Sequence, residues 1–466
     1  MKKSFIGLVL TLFAAGQGWS AAAARSPNFV VIMTEAQGWS NTSVAMDDRS
    51  PESKSPIFRT PAVERLAREG MRFAYGYAAS PRCTPSRAAL LTGKSPAVLH
   101  MTFVGIGRDS TFSRTGSVLI PPEPLLELPT AETTLPELLK NAGYITAHFG
   151  KWHLGRVSPL RHGFDESDGP TNNGGPDNVA NPNPKQAEGM TDRGIAFIAR
   201  AAQAGRPFYL QLSHYPNQEQ KAANRGAVGA AADAAEVDKT VSRLLDALDR
   251  LGLTENTFVI YTADHGAPGR GANEPLNGGK GGVLEGGLRV PFLIRGPGVA
   301  ANVCSHVPVT AMDVLPSVVE LAGVKAPIPA GVEGGSLVGL WRDKVGAGVV
   351  SREREELIFH FPHYDSGNLG PASAIMVGSY KLIHVYENGG RFLYDLSRDA
   401  SERRNLAVSM PEKVADLDGR LAAYLKNVNA QMAVRNPDYD PTKKDSNDLP
   451  PGPRGGVKGG RPRANP

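Results

Sequence analysis

The sequence predicts an α/β fold: a large, mostly parallel sheet sandwiched by helices, followed by a smaller C-terminal α+β subdomain built from an antiparallel sheet and a terminal helix. Three observations carry this reading. Helical apolar patterns repeatedly stop at glycine and lead into a short apolar run, which is the rhythm of βα alternation. From residue 355 onward that rhythm gives way to closely spaced strand-like runs. Ionisable residues gather just past the ends of several apolar runs, where open parallel sheets bind their ligands.

The elements follow in order. Residues 28–33 read as a first buried strand. Thr60 as N-cap and Pro61 at the first helical position start a helix that Gly70 ends. Thr134 and Glu137 have capping-box spacing, Gly143 stops that helix, and residues 144–149 follow as a strand. Val237, Val241, Leu244, Leu248 and Leu251 recur at helical spacing until Gly252, and 257–262 then read as a buried strand. Further strands are expected at 208–213 and 290–294. In the last part, runs at 357–361, 373–377, 381–386 and 391–394 predict a small antiparallel sheet, with Asn388 and Gly389 turning one hairpin. A helix from Pro411 places Val414, Leu417, Leu421 and Leu425 on one face to cover it.

The termini set the cellular context. Lys2 and Lys3, an apolar run over 5–15 and small residues at 21–24 read as a secretory signal peptide over 1–24. Gly16, Gln17 and Gly18 interrupt the run before the about 20 apolar residues that a membrane span needs. The expected destination is the periplasm or the extracellular space. The body then divides into a catalytic α/β domain over 25–350 and the α+β subdomain over 351–440, with a basic, Pro- and Gly-rich disordered tail over 441–466. The net charge of +5 is not spread over the fold: Lys2, Lys3 and the tail hold it, and the body between them is close to neutral. Nothing there argues for nucleic acid. Only Cys83 and Cys304 occur. In an oxidising compartment they invite a disulfide, but the surroundings of Cys83 argue otherwise, and Cys304 is expected to be a free, buried thiol.

Four strands deliver ionisable groups to one sheet edge. The first runs into Thr34 and Glu35, the second into Lys151 and His153, the third into His214, and the fourth into Asp264 and His265. A shared active site accounts for this economically.

Cys83-Thr84-Pro85-Ser86-Arg87, followed by an Ala88–Leu91 run, Thr92 and Gly93, resembles the signature of the formylglycine-dependent sulfatases of the alkaline phosphatase superfamily. The run from Gly150 through Lys151, Trp152 and His153 to Gly155 is similar to that family's second signature. Ala263-Asp264-His265-Gly266 is similar to its late metal-binding segment, and Gly278-Gly279-Lys280-Gly281 to its late lysine loop. The resemblance spans 27–440 and implies hydrolysis of a sulfate monoester, of a sulfated carbohydrate or an aryl sulfate, to an alcohol and inorganic sulfate. It also implies that a maturation enzyme converts Cys83 to formylglycine. The chemistry has a reason: an aldehyde hydrate carries two hydroxyls on one carbon, so one attacks sulfur and the other later expels sulfate. Arg87, one helical turn on, would hold that group, Lys151 and Lys280 would clamp the sulfate oxygens, and His153 would handle protons.

Two departures from the resemblance stand out. The family ends its first strand in two aspartates that bind a divalent cation, usually Ca2+, whereas here Glu35 and Ala36 occupy those places. Asp264 is followed by His265 where relatives carry asparagine, so the expected metal set is Glu35, Asp264, His265 and residue 83, short of calcium's 6 to 8 oxygens. Asp47 and Asp48 are near in sequence, but a solvated loop suits them better. Second, Gln218 stands where a leaving-group histidine is expected. Substitutes are His214, His360 or His363, or a leaving group acidic enough to depart unaided. Two other functions remain open: phosphate or phosphonate ester hydrolysis on the same scaffold, and a catalytically impaired binder of sulfated glycans.

Overall fold

A computed structural model describes residues 26–105, 111–177, 185–215, 226–269, 271–366 and 369–443. The signal segment, Gln218 and the tail from 444 lie outside the described residues. The large sheet has eight strands in the order Val303–Ser305, Met71–Phe73, Leu293–Arg295, Thr257–Ala263, Asn28–Thr34, Phe208–Ser213, Ile145–Gly150 and Glu166–Ser167. The five from Thr257–Ala263 to Glu166–Ser167 run parallel, and Leu293–Arg295 turns antiparallel against Thr257–Ala263.

Strands buried on both faces read as continuous apolar runs, and the first strand shows why. Its Phe29, Val31 and Met33 enter one core with Leu90 and Leu91 of the Cys83–Thr92 helix, Leu135 and Leu139 of the Leu135–Asn141 helix and Val314 and Leu315 of the Val314–Leu321 helix. Its Val30 and Ile32 enter the other core, with Val63 and Leu66 of Pro61–Glu69, Phe197 and Ile198 of Lys185–Gln203, and Val241, Leu244 and Leu248 of Gly226–Arg250. Each such side chain contributes about 1.5 to 3 kcal/mol on burial, so the central strands are fixed from both sides. That rigidity matters at their carboxyl ends, where the polar residues sit.

The smaller sheet pairs Leu357–Phe361, Ala372–Val377, Tyr380–Val385 and Gly390–Asp395 in sequence, all antiparallel. Ile358, Ile375, Leu382 and Leu393 pack beneath Leu417, Leu421 and Leu425 of the Pro411–Asn427 helix. The opposite face packs Phe359, Ala374 and Ile383 against Tyr77, Leu284 and Leu288 of the large-sheet part. No described helix is long and apolar enough to cross a membrane.

Three local expectations change. The predicted strand at 290–294 begins only at Leu293: Pro291 has no N–H for the ladder, and Val290 donates instead to the Gly76 carbonyl. Thr60 does not cap the Pro61–Glu69 helix with its side chain, because its hydroxyl is engaged by Ser43. Asp238, from the Gly226–Arg250 helix, accepts from the amides of Ala62 and Val63 at 2.8 and 3.1 Å in its place. Cys304 is free but only half-buried, since Val303–Ser305 is an edge strand and not a covered approach.

Candidate active site

Cys83 opens a ten-residue helix whose side chains are all buried. Its Sγ faces the carboxyl edge of the large sheet, 3.3 Å from Glu35 Oε1, 3.1 Å from His265 Nε2 and 3.9 Å from Lys280 Nζ. Arg87, on the same face of the helix one turn later, reaches beneath it. Its Nη2 donates to Glu35 Oε2 and to Asp264 Oδ2, both at 2.9 Å, its Nε donates to Asp264 Oδ2 at 3.2 Å, and its Nη1 donates to the Lys151 carbonyl at 2.6 Å. Lys151 Nζ lies 3.1 Å from Glu35 Oε2. The helix therefore delivers both the thiol and the guanidinium to one point.

The strand ends supply the rest, each by its own backbone device. Gly150 has φ +100°, and a Cβ there would lie 2.0 Å from the Ser213 carbonyl oxygen, so only glycine lets the chain turn and send Lys151 inward. His153 is itself left-handed, at φ +56°. Its ring is near enough to residue 83 for the charge of Cys83 to act on it. Lys280 is placed by a stitched loop, its own amide donating to the Ala267 carbonyl and that of Gly281 to the Pro81 carbonyl. Asp264 and His265 directly follow the Thr257–Ala263 strand and are fully buried.

The charges determine the protonation states. Burial raises Glu35, but Lys151, Lys280 and Arg87 outweigh it and hold the carboxyl well below the usual range. Burial and the neighbouring Glu35 push Asp264 up to about 7. Burial and Glu35 also raise Cys83, yet Lys151, Lys280 and His265 bring its thiol well below the usual value. Burial lowers His153, which is therefore a neutral base near neutral pH.

Of the residues singled out in the sequence, the structure gathers Glu35, Cys83, Arg87, Lys151, His153, Asp264, His265 and Lys280. Four ligand atoms, one each from Glu35, Cys83, Asp264 and His265, lie within 4.8 Å of one another, as a divalent cation requires. The side chain of Ala36 has no donor, and its amide donates to Asp264 Oδ1 at 2.9 Å. Each of the three substitute histidines has a hydrogen bond to a residue outside this cluster. His214 Nε2 faces Thr240 Oγ1 at 3.2 Å, His360 is held between Ser373 Oγ and the Gln431 carbonyl, and His363 faces Thr102 Oγ1 while stacking on Phe103. Burial lowers all three, His214 and His360 to about 4 and His363 to about 3. Asp47 also lies apart, with His306 at 3.1 Å and Arg289 at 3.8 Å.

Two buried ionic groups beside the site were not legible in the sequence. Arg82 grips Asp365 with two hydrogen bonds of 2.5 and 2.6 Å, tying the residue before Cys83 to the segment after Leu357–Phe361. Lys381 on the small sheet lies 2.9 Å from Glu285 Oε1 and 2.9 Å from Glu402 Oε1, while Tyr77 donates to Glu285 Oε2. Both groups join residues more than 95 positions apart, and no local pattern marks such partners.

Comparison with known proteins agrees with this geometry. The sulfatase family matches residues 27–324, and the C-terminal region of N-sulphoglucosamine sulphohydrolase matches 280–431. N-acetylgalactosamine-6-sulfatase of Canis lupus familiaris is 34% identical over 372 residues, 70% of this chain and 68% of that protein. Human arylsulfatase A is 32% identical over 458 residues, covering 83% of this chain and 84% of its own. A solved sulfatase from Pseudoalteromonas sp. superposes with a TM-score of 0.64 at 22% identity, over 89% of this chain and 92% of its own. Another solved protein, in complex with its substrate D-glucosamine-2-N,6-O-disulfate, gives 0.63 at 19% identity, over 90% and 100%. The chain therefore belongs to the sulfatase family of the alkaline phosphatase superfamily and is a sulfuric ester hydrolase.

Proposed function

We propose that this enzyme hydrolyses the sulfate monoester of a sulfated carbohydrate outside the cytoplasm, after a maturation enzyme has converted Cys83 to formylglycine. The observation that carries the reading is the placement of Cys83 Sγ at a helix start, buried, and ringed by Glu35, His265 and Lys280. The N-acetylgalactosamine and glucosamine sulfates named for its relatives favour a sugar sulfate, and arylsulfatase A keeps an aryl sulfate in view. The signal-like residues 1–24 and the absence of a described spanning helix are consistent with export. We read 25–350 as the catalytic domain and 351–440 as a subdomain that completes its rim.

When formed, the formylglycine hydrate supplies an oxygen nucleophile with a built-in exit for sulfate. The chain's own residues do the rest. Lys280 and Lys151 stand where they offset the negative charge of the sulfate oxygens, and Arg87 holds Glu35 and Asp264 in fixed positions so that the site needs little reorganisation. His153, neutral and near residue 83, takes or returns a proton at that side chain.

The test is release of inorganic sulfate from an aryl sulfate and from N-acetylgalactosamine-6-sulfate, with phosphate and phosphonate monoesters alongside. Sulfate release that Cys83→Ala abolishes, in a protein with an unchanged melting profile, supports the proposal. Faster turnover of phosphate or phosphonate esters would move the activity to that class, and activity surviving in Cys83→Ala would refute it. A wild type that binds sulfated glycans without hydrolysing them would instead make it an impaired binder.

A further inference from the structure

We propose that the cation site of this enzyme selects a divalent transition metal, of the Mn2+ and Zn2+ class, over Ca2+, with His265 Nε2 as the selecting ligand. The inference rests on the Glu35, Cys83, Asp264 and His265 cluster being the cation site of the sulfatase reading above.

The donor set decides it. His265 Nδ1 lies 2.8 Å from the Gly266 carbonyl, which can only accept, so Nδ1 keeps its proton, and the Nε2 lone pair, free once a metal displaces any proton there, is the one turned to the cluster. That lone pair sits 3.1 Å from Cys83 Sγ, 3.5 Å from Asp264 Oδ1 and 4.0 Å from Glu35 Oε1. The gap is already closed by an imidazole nitrogen, a ligand suited to zinc, manganese and iron, whereas calcium takes 6 to 8 oxygens.

The carboxylates cannot make up the deficit. Glu35 Oε2 is committed to Arg87 and Lys151, and Asp264 Oδ2 is committed to Arg87 twice, so each acid has one oxygen left to face a metal. Ala36 contributes no side-chain donor, and its amide points to Asp264 Oδ1. Two single oxygens, one nitrogen and the side chain of residue 83 make a four-donor set. In a tetrahedral site with bonds of about 2.0 to 2.3 Å, ligand atoms are about 3.3 to 3.8 Å apart, and the distances from His265 Nε2 to the other three ligand atoms, 3.1 to 4.0 Å, bracket that range. Spacing alone would also admit calcium; donor type and count do not.

The experiment measures binding to chelator-stripped full-length protein, by calorimetry and by equilibrium dialysis with elemental analysis, for Mn2+, Zn2+ and Ca2+. Every protein measured carries Cys304→Ser and His306→Ala, because Asp48, Cys304 and His306 form a second, more exposed group that competes for transition metals. The expected result is one ion per chain, with Mn2+ and Zn2+ each binding at least about tenfold tighter than Ca2+. Mn2+ spin-echo spectra should show nitrogen coupling. His265→Asn should remove that coupling and weaken Mn2+ and Zn2+ by about 10- to 100-fold while changing Ca2+ by less than about threefold. Calcium binding as tightly as manganese, no bound ion, or nitrogen coupling that survives His265→Asn would overturn the proposal. If His265→Asn fails to fold, the wild-type selectivity and its nitrogen coupling still decide the matter. Sulfate release by the same preparation is scored separately: its absence with the selectivity intact refutes the hydrolase reading and leaves this inference standing.

Discussion

Replacing Lys381 with methionine removes the charge from a group that is fully buried at all three members. Lys381, Glu285 and Glu402 each have no side-chain exposure, and the ammonium makes two contacts of 2.9 Å, one to each carboxylate. Charge-assisted hydrogen bonds contribute about 1.5 to 3 kcal/mol each, and removing one partner of a buried ionic group costs about 3 to 5 kcal/mol, so the two routes agree. Methionine retains most of the stem volume, which keeps a cavity term out of the measurement. Burial and Glu285 already push Glu402 up to about 7 with Lys381 lowering it, and without Lys381 the folded value rises further. A carboxyl raised in the folded state is favourable below its unfolded value near 4.5 and loses that advantage as pH climbs through the folded value. The deficit of Lys381→Met should therefore be about 3 to 5 kcal/mol at pH 8 and should shrink near pH 5. Urea unfolding of wild type and variant at the two pH values reads it. A deficit under about 1 kcal/mol at pH 8, or one that grows on acidification, would show that the buried ammonium does not hold the two carboxylates.

Three further outcomes concern the site itself. Asp264→Asn should lower the rate of sulfate release by on the order of 10²-fold or more, because Asp264 both faces the cluster and anchors Arg87; single-turnover kinetics would check this, and a loss under about fivefold would contradict it. Ala36 sits at φ +53°, a conformation aspartate adopts more readily than alanine, so Ala36→Asp should fold normally and tighten divalent cation binding about tenfold, measured by calorimetry. Burial lowers His153, so the acid limb of kcat/KM should lie below the ordinary histidine value of 6.5, and His153→Gln should abolish that limb along with most of the rate. A limb unchanged in His153→Gln would assign it to another group.

The fold and the inner ring of the site could be read from sequence because both are written locally. The 28–33 and 257–262 runs each hold an unbroken apolar stretch, 29–33 and 258–261, which marks strands covered on both faces, and the residues just past them must fall at one sheet edge. Glu35, Lys151, His153, Asp264 and His265 follow from that rule, and Cys83 with Arg87 follows from a five-residue signature. What no local pattern shows was decided by long-range packing. The cap of the Pro61–Glu69 helix comes from Asp238, more than 170 positions away, and no sequence window shows it. His214, His360 and His363 have the right chemistry for a leaving-group acid, but whether a ring points at residue 83 or at Thr240, Ser373 or Thr102 depends on rotamers set by neighbours. The Arg82–Asp365 clasp and the Lys381 group lie between the two sheets, where partner choice is a tertiary matter.

If residue 83 acts as formylglycine, the mass of the peptide carrying it must show the conversion. The protein should be produced with a formylglycine-generating enzyme, digested, and the peptide containing Cys83 weighed beside one made without that enzyme. The expected peptide is lighter by about 18 Da, the exchange of the thiol carbon's sulfur and two hydrogens for an aldehyde oxygen, in a fraction that tracks the rate of sulfate release. An unmodified thiol in a preparation that hydrolyses sulfate esters at full rate would contradict it.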